Sequence, residues 1–133
     1  MTVYADSSAL IKRYVDEPDS DAAVALLSSD PSLTTARHTL VEVRRNLARL
    51  LREGPAPQRP RTSRRMRRDW RSSSSMPTCE RAATIAEVTG AKTLDAMHLA
   101  AAQRAGGQAI SFLTFDLRQA QAARTLGFTV LGA

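Results

Sequence analysis

The stretch Thr2-Val3-Tyr4-Ala5-Asp6-Ser7-Ser8-Ala9-Leu10 at the start of the chain decides the fold. Its β-branched and aromatic run up to Ala5 predicts a short strand, and an apolar helical pattern follows Asp6 without a spacer. Asp6 therefore lies where a strand meets a helix, and binding sites form at such places in open α/β sheets. A carboxylate there can equally be a simple helix cap, a role that Ser7 or Ser8 can also fill. The choice depends on whether other carboxylates occupy equivalent positions.

The composition is that of a single globular domain spanning residues 1–133. A chain of this length can bury roughly two thirds of the surface that it exposes when unfolded. Its apolar runs are shorter than the roughly 18 residues of a membrane span, and its start lacks a signal-peptide pattern, so we expect a cytoplasmic protein with no membrane association. The single cysteine, Cys79, fits a reducing compartment. We expect it to be a small buried thiol.

The positive charge is concentrated in one segment. Between Arg59 and Arg71 lie seven arginines and one acidic residue, an excess of six that equals the net charge of the whole chain, +6. Prolines and a serine run surround these arginines, so we expect an irregular basic segment at about residues 55–77. Such a cluster attracts phosphates, and the candidate RNA-binding residues are Arg64, Arg65, Arg67 and Arg68. A solvated segment without a partner is an equally good interpretation.

Strand and helix patterns alternate along the rest of the chain. Later strands are predicted at Leu33 to Thr35, Ala109 to Thr114 and Phe128 to Leu131. Helices are predicted after Asp6 with a stop by Glu17, from Asp19 to about Asp30, from Arg37 to Glu53, from Thr78 to Gly90, from Lys92 to Gly106 and from Leu117 to Leu126. This alternation predicts an α/β fold whose mostly parallel sheet is covered by helices on both faces. The apolar helix after Lys92 is expected to pack against that sheet.

Four carboxylates occupy comparable positions in this scheme. Asp6 and Asp116 follow strands directly, whereas Glu42 and Asp95 lie near the starts of helices. All four positions belong to the same edge of a parallel sheet, so we expect the four side chains to converge. Clustered carboxylates must take up protons or hold a cation. Their oxygen ligands favour Mg²⁺ or Mn²⁺ over Zn²⁺.

His98 lies three residues after Asp95 and therefore on the same helix face. That position would suit a metal ligand or a base. A structural role is favoured, because the other histidine, His38, is remote in sequence.

A hard divalent ion held by carboxylates is suited to phosphodiester cleavage, because it can activate water and offset charge on the leaving oxygen. No protein nucleophile is then needed. The chain also lacks the glycine-rich phosphate loops of nucleotide hydrolases and dehydrogenases and the G-x-S-x-G turn of α/β-hydrolases.

Several segments, in this order, resemble the successive motifs of PIN-domain ribonucleases, specifically the VapC toxins of prokaryotic type II toxin-antitoxin pairs. These segments are Tyr4 to Leu10, Val41-Glu42-Val43, Thr93 to Ala100 and Leu113 to Asp116. The resemblance implies a three-layer PIN-like fold and a Mg²⁺-dependent endoribonuclease, with Mn²⁺ as a possible substitute.

What the resemblance implies for the site can be stated residue by residue. It makes Asp6, Glu42, Asp95 and Asp116 the catalytic and metal-binding quartet, with Asp6 and Asp95 as direct ligands and the other two completing the shell or orienting water. The resemblance also implies that Thr114 orients its neighbours. From the chain's own pattern we expect Ser7 and Ser8 to cap the first helix.

The resemblance also implies partners. These are an RNA substrate such as transfer or ribosomal RNA, a VapB-type antitoxin that covers the acidic site, and a second toxin copy in a homodimer or in a larger toxin-antitoxin assembly.

Two alternatives remain at this point. Between Pro55 and Pro77 the chain departs from the family pattern, because the serine-rich stretch there replaces an apolar strand. A degenerate PIN domain that binds antitoxin or RNA without cleaving it would fit this departure. An aspartyl-phosphate receiver also clusters acids at a sheet edge, but the acidic pair and late lysine typical of receivers are absent.

Overall fold

A five-stranded sheet and its helices account for most of residues 2–30, 33–54, 71–72 and 76–133, which are the residues that the computed structural model describes. The strands are β1 (Thr2–Ala5), β2 (Thr34–Thr35), β3 (Arg71–Ser72), β4 (Ile110–Leu113) and β5 (Thr129–Leu131). The helices are α1 (Ser7–Ile11), α2 (Ser20–Ser28), α3 (His38–Glu53), α4 (Met76–Thr89), α5 (Thr93–Gly106) and α6 (Leu117–Thr125). A short 3₁₀ turn, Gly107–Ala109, leads from α5 into β4.

The sheet is parallel and has β1 at its centre. The strand order is β3-β2-β1-β4-β5, and every pairing between neighbours is parallel. Ala5 at the end of β1 is level with Leu113 at the end of β4. Asp6 and Thr114, which follow these two residues, therefore leave the sheet at the same edge. The predicted parallel α/β sheet is confirmed.

The two faces of the sheet bury separate apolar clusters, because successive side chains of a strand point to opposite faces. Tyr4 and Phe112 pack with Ile85 of α4 and with the alanines and Leu99 of α5. Val3 and Ala5 pack on the other face with residues of α1, α2 and α3, including Leu10, Leu27 and Val43. Each large aliphatic side chain buried in this way contributes about 1.5–3 kcal/mol. The fold is therefore the expected three-layer arrangement.

Helix α5 lies against the sheet because much of its length consists of small residues. Ala96, His98, Leu99 and the three alanines at positions 100–102 are all buried. Alanine combines high helix propensity with a small side chain, which allows close packing against the strands and α4. This burial, predicted from the uncharged face of the helix, holds the start of α5 at the sheet edge where Asp95 is located.

The first helix is shorter than predicted, because it ends at Ile11 instead of continuing to Glu17. Side-chain hydrogen bonds stabilise the turn that follows. Lys12 Nζ donates to Glu17 Oε2 at 2.6 Å and to Asp19 Oδ1 at 2.7 Å, and Ser20 Oγ donates to the Val15 carbonyl at 2.9 Å. The helical spacing of the apolar residues in this stretch gave no information about these bonds.

Part of the segment at 55–77 is ordered into regular structure. Arg71 and Ser72 pair with Thr34 and Thr35 as β3, and α4 begins at Met76, two residues before its predicted start. The rest of that segment, including Arg64, Arg65, Arg67 and Arg68, lies outside the described residues. The irregular basic segment and its RNA contacts therefore stay predictions. Within the described ranges, none of the helices combines the length and the apolar character that crossing a membrane requires.

Candidate active site

Asp6 is held rigidly where β1 passes into α1. Its side chain is only 3% exposed, and its Oδ1 atom accepts hydrogen bonds from the Ala9 amide at 3.1 Å and the Ser8 hydroxyl at 2.7 Å. Asp6 is therefore the residue that caps α1. The prediction that Ser7 and Ser8 cap this helix is wrong, because the extended backbone at Asp6 lets its carboxylate reach the orphan amide in the first turn.

A hydrogen-bonded network joins the exits of β1 and β4. Ser8 Oγ accepts a hydrogen bond from the Phe115 amide at 2.8 Å and lies 3.2 Å from Thr114 Oγ1. Thr114, which is fully buried, accepts a hydrogen bond from the Asp116 amide at 3.1 Å and also bonds to the Asp6 side chain. Thr114 thus contacts both acidic residues that follow these strands. The positioning role predicted for it stays a prediction.

Asp116 caps α6. Its Oδ1 atom accepts hydrogen bonds from the amides of Arg118 at 2.8 Å and Gln119 at 3.2 Å. The side chain of Gln119 in turn donates to the backbone carbonyl of Asp95 at 3.1 Å, which ties the start of α6 to the start of α5. Two of the predicted acids are therefore held on adjoining helix N-termini, where the helix dipoles favour negative charge.

Electrostatic interactions show that the four predicted acids lie close together. Partial burial raises the pKa of Asp95, and the negative charges of Asp116, Asp6 and Glu42 raise this pKa further, whereas His98 opposes the change. The pKa of Asp6 is also raised, chiefly by its burial. The structure thus brings the whole quartet to one edge of the sheet, as the parallel topology predicted.

Glu42 differs from the other acids because two histidines surround it. Burial would raise its pKa, but the hydrogen bond from His98 and the charges of His98 and His38 outweigh that effect, so the pKa is lowered. His98 Nε2 lies 2.6 Å from Glu42 Oε2. A further hydrogen bond joins Glu42 to the side chain of Ser7, which therefore supports Glu42 instead of capping α1.

The two histidines of the chain form a pair that sequence reasoning missed. His38 is remote from His98 in sequence, yet their ring centroids are 4.3 Å apart. Burial and the neighbouring His98 lower the pKa of His38 to about 4. The only signal in the sequence was the spacing of His38 and Glu42, which places both on one face of a helix.

An open cleft of about 830 Å³ adjoins the acids. Asp95 and Asp116 line it, together with Lys92 and Arg118, so it combines negative and positive side chains. Val88 and Leu117 also line it, and both are unusually exposed for apolar residues, at 71% and 75%. The cleft can therefore admit an extended ligand that carries both charged and apolar groups.

Cys79 does not line this cleft. It is exposed on α4, so the prediction of a buried thiol is wrong. The face of α4 that packs against α5 instead uses Ala82 and Ile85.

The family model of the PIN domain matches residues 3–125, which is nearly the whole chain. The chain belongs to the PIN-domain family. This PIN domain is 32% identical over 135 residues to Ribonuclease VapC46 of Mycobacterium tuberculosis, and the alignment covers 97% of this chain and 95% of that protein. Its fold is similar to the crystal structure of PAE2754 from Pyrobaculum aerophilum, with a TM-score of 0.65 and 16% identity over 98% of this chain and 89% of the other.

Proposed function

We propose that this PIN domain is a Mg²⁺-dependent endoribonuclease and the toxin component of a type II toxin-antitoxin pair. The observation that carries the proposal is the cluster of Asp6, Glu42, Asp95 and Asp116 at one sheet edge, where burial and the charges of the other three acids raise the pKa of Asp95. The likeness to a protein named Ribonuclease VapC46 supports RNA as the substrate.

The chemistry of the cluster fits a hard divalent cation. All four side chains offer carboxylate oxygens, the ligands that Mg²⁺ prefers, and Mn²⁺ can replace it at such sites. A cation would also offset the burial that raises the pKa of Asp6, and the burial and neighbouring acids that raise the pKa of Asp95. In our proposal these two residues ligate the ion directly, and Glu42 and Asp116 complete the shell or orient water.

When bound, Mg²⁺ would supply an activated water and offset negative charge on the leaving oxygen of the phosphodiester. The protein contributes fixed positions for the ligands. Ser8 and the Ala9 amide hold Asp6, and Thr114 holds the backbone of Asp116. These contacts fix the positions of the two carboxylates that would hold the ion.

Lys92 and Arg118 line the same cleft as Asp95 and Asp116. In our proposal their positive charges attract the phosphates of an RNA chain toward the acids. They would thus offset the repulsion between a polyanion and a carboxylate cluster. Transfer or ribosomal RNA is the proposed substrate class, with cleavage in the cytoplasm.

The proposed inhibitor is a VapB-type antitoxin that covers the acidic cleft. The exposed Val88 and Leu117 beside the acids support this, because a partner segment could bury both apolar side chains while a basic residue meets the carboxylates. We propose a toxin homodimer or a larger toxin-antitoxin assembly as the stored form.

The test is cleavage of a structured RNA by purified protein in Mg²⁺ or Mn²⁺, with an EDTA control. Asp95→Asn should reduce the rate by roughly 100-fold or more, because loss of several kcal/mol of metal-dependent stabilisation corresponds to at least two powers of ten. The matched control is Glu87→Gln, which removes the same charge from an exposed position on α4.

Cleavage that survives both EDTA and Asp95→Asn would overturn the proposed mechanism. RNA binding by the intact protein without any cleavage would instead identify a non-catalytic binding domain. The second outcome would favour the degenerate PIN domain that the altered segment at 55–77 suggested.

A further inference from the structure

The chain contains two histidines, and both lie in one cluster with Glu42. His38 and Glu42 come from α3, whereas His98 comes from α5. Each of the three side chains offers one ligand atom, and these atoms lie within 4.8 Å of one another. Two helices distant in sequence thus present two imidazoles and one carboxylate to a common point.

The ring nitrogens of His38 are available to bind a ligand. Both of its ring nitrogens are buried and lack a hydrogen-bond partner among the residues that the structure describes. Its Nε2 atom lies 4.0 Å from Glu42 Oε2, which is too far for a hydrogen bond. Buried polar atoms are nearly always satisfied, so an imidazole without partners calls for an explanation.

His98 is already oriented as a metal-binding histidine would be. Its Nδ1 atom lies 2.8 Å from the hydroxyl of Tyr4, and its Nε2 atom faces Glu42. Histidines that bind metals usually engage their second ring nitrogen with a polar group, which fixes the tautomer and the direction of the ligating nitrogen. His98 itself is only 1% exposed, so its ring is enclosed by the core.

The two distances that involve Glu42 fit a small ion after modest shifts of side chains. Two ligands at about 2.0–2.2 Å from a tetrahedral ion are roughly 3.3 Å apart. The contact between His98 and Glu42, now 2.6 Å, would need to widen, and the separation of His38 from Glu42, now 4.0 Å, would need to shrink. Both changes are below 1 Å and lie within the reach of rotations about side-chain bonds.

We propose that His38, Glu42 and His98 form a site for Zn²⁺ or a similar late transition metal, separate in its ligand chemistry from the carboxylate cluster. Two imidazoles and one carboxylate suit zinc, with water in the fourth position, and do not suit Mg²⁺.

The site has a regulatory consequence that rests on the proposed nuclease function. Glu42 belongs both to this site and to the proposed Mg²⁺ quartet, so zinc would draw its carboxylate toward the histidines. Zinc binding therefore inhibits the Mg²⁺-dependent reaction. The two metals compete for one shared ligand instead of for the whole site.

The test measures zinc binding directly, without RNA, on protein whose affinity tag has been removed. Calorimetric titration with Zn²⁺ should show one site per chain, and Co²⁺ should give the visible absorption of a four-coordinate ion. His38→Gln, which keeps much of the side-chain volume, should weaken zinc affinity by roughly 10–100-fold or more. Circular dichroism of each variant verifies that it is folded.

Two matched variants locate the ion. Asp116→Asn removes an acid from the carboxylate cluster, and Cys79→Ser removes the exposed thiol, so neither should change zinc affinity by more than about twofold. Unchanged affinity in His38→Gln would overturn the proposal. So would an equal loss in Asp116→Asn, because it would place zinc among the carboxylates.

Inhibition is then measured in each protein as the rate of RNA cleavage without Zn²⁺ divided by the rate with Zn²⁺. This ratio should be large in the wild type and close to one in His38→Gln. An equal ratio in both proteins would refute the regulatory role. If the protein cleaves no RNA at all, the proposed nuclease function fails while the zinc titration still decides the site.

Discussion

Replacing Asp6 by asparagine should remove Mg²⁺ binding while preserving the fold. The asparagine carbonyl can still accept the hydrogen bonds from the Ala9 amide and the Ser8 hydroxyl, and asparagine caps helices about as well as aspartate does. It also removes a buried charge whose cost is evident in the raised pKa of Asp6. Without metal, we expect the free energy of unfolding to equal or exceed that of the wild type.

Asp6→Ala provides the comparison, because it removes the same charge together with the cap. Loss of the N-cap costs about 1 kcal/mol, and leaving the Ser8 hydroxyl without its acceptor adds about 1 kcal/mol. Asp6→Ala should therefore be roughly 2 kcal/mol less stable than Asp6→Asn, which corresponds to a Tm lower by about 6–10 °C in a domain of this size.

Thermal unfolding in EDTA and in Mg²⁺ separates the two roles of Asp6. At an ion concentration of about 100 times Kd, binding stabilises the wild type by about 2.7 kcal/mol, and neither variant should show that gain. A full Mg²⁺-dependent rise in the Tm of Asp6→Asn would refute the assignment of Asp6 as a ligand. Equal stability of the two variants in EDTA would refute the capping argument.

Two further predictions concern the framework around the site. Thr114→Val should lower the free energy of unfolding by about 1–3 kcal/mol, because the Asp116 amide loses its buried acceptor. Thr114→Ser should retain most of the stability in urea unfolding. Equal unfolding free energies for the two variants would contradict this argument. Lys12→Met should cost about 1 kcal/mol at pH 7, because Lys12 holds Glu17 and Asp19. The hydrogen bond from Lys12 lowers the pKa of Asp19 below 3.8, so this stabilisation is present above that pH and is lost as the pH falls through the lowered value. At about pH 3 and below, the difference in unfolding free energy between the wild type and Lys12→Met should therefore shrink. A constant difference would count against the ion pairs.

Much of the fold followed from local patterns. The stretch from Thr2 to Leu10, the long amphipathic helix ending at Glu53 and the alternation that closes the chain each predicted their elements to within a few residues. Parallel strands share one carboxyl edge, so this alternation also predicted that Asp6 and Asp116 would meet. Such inferences succeed because the hydrophobic period of an element and the order of the strands depend little on how individual side chains pack.

The errors came from choices between competing partners. Asp6, Ser7 and Ser8 can each cap a helix. The backbone angles at Asp6 make it the cap of α1, and the position of Glu42 draws the Ser7 side chain into a hydrogen bond with Glu42 instead. Cys79 was expected inside because free cysteines usually are. Its exposure depends on the rotation of α4 against α5, which the weak amphipathic pattern of α4 did not determine.

The sequence by itself determined that this is a parallel α/β domain with four carboxylates at one sheet edge, because hydrophobic periodicity and chain order are enough to place residues at strand ends. The tertiary structure alone decided that His38 lies against His98, with Glu42 within reach of both. The physical reason is that contact between α3 and α5 depends on how each helix packs on the sheet. That packing is set by the whole core, and no spacing within either helix records it.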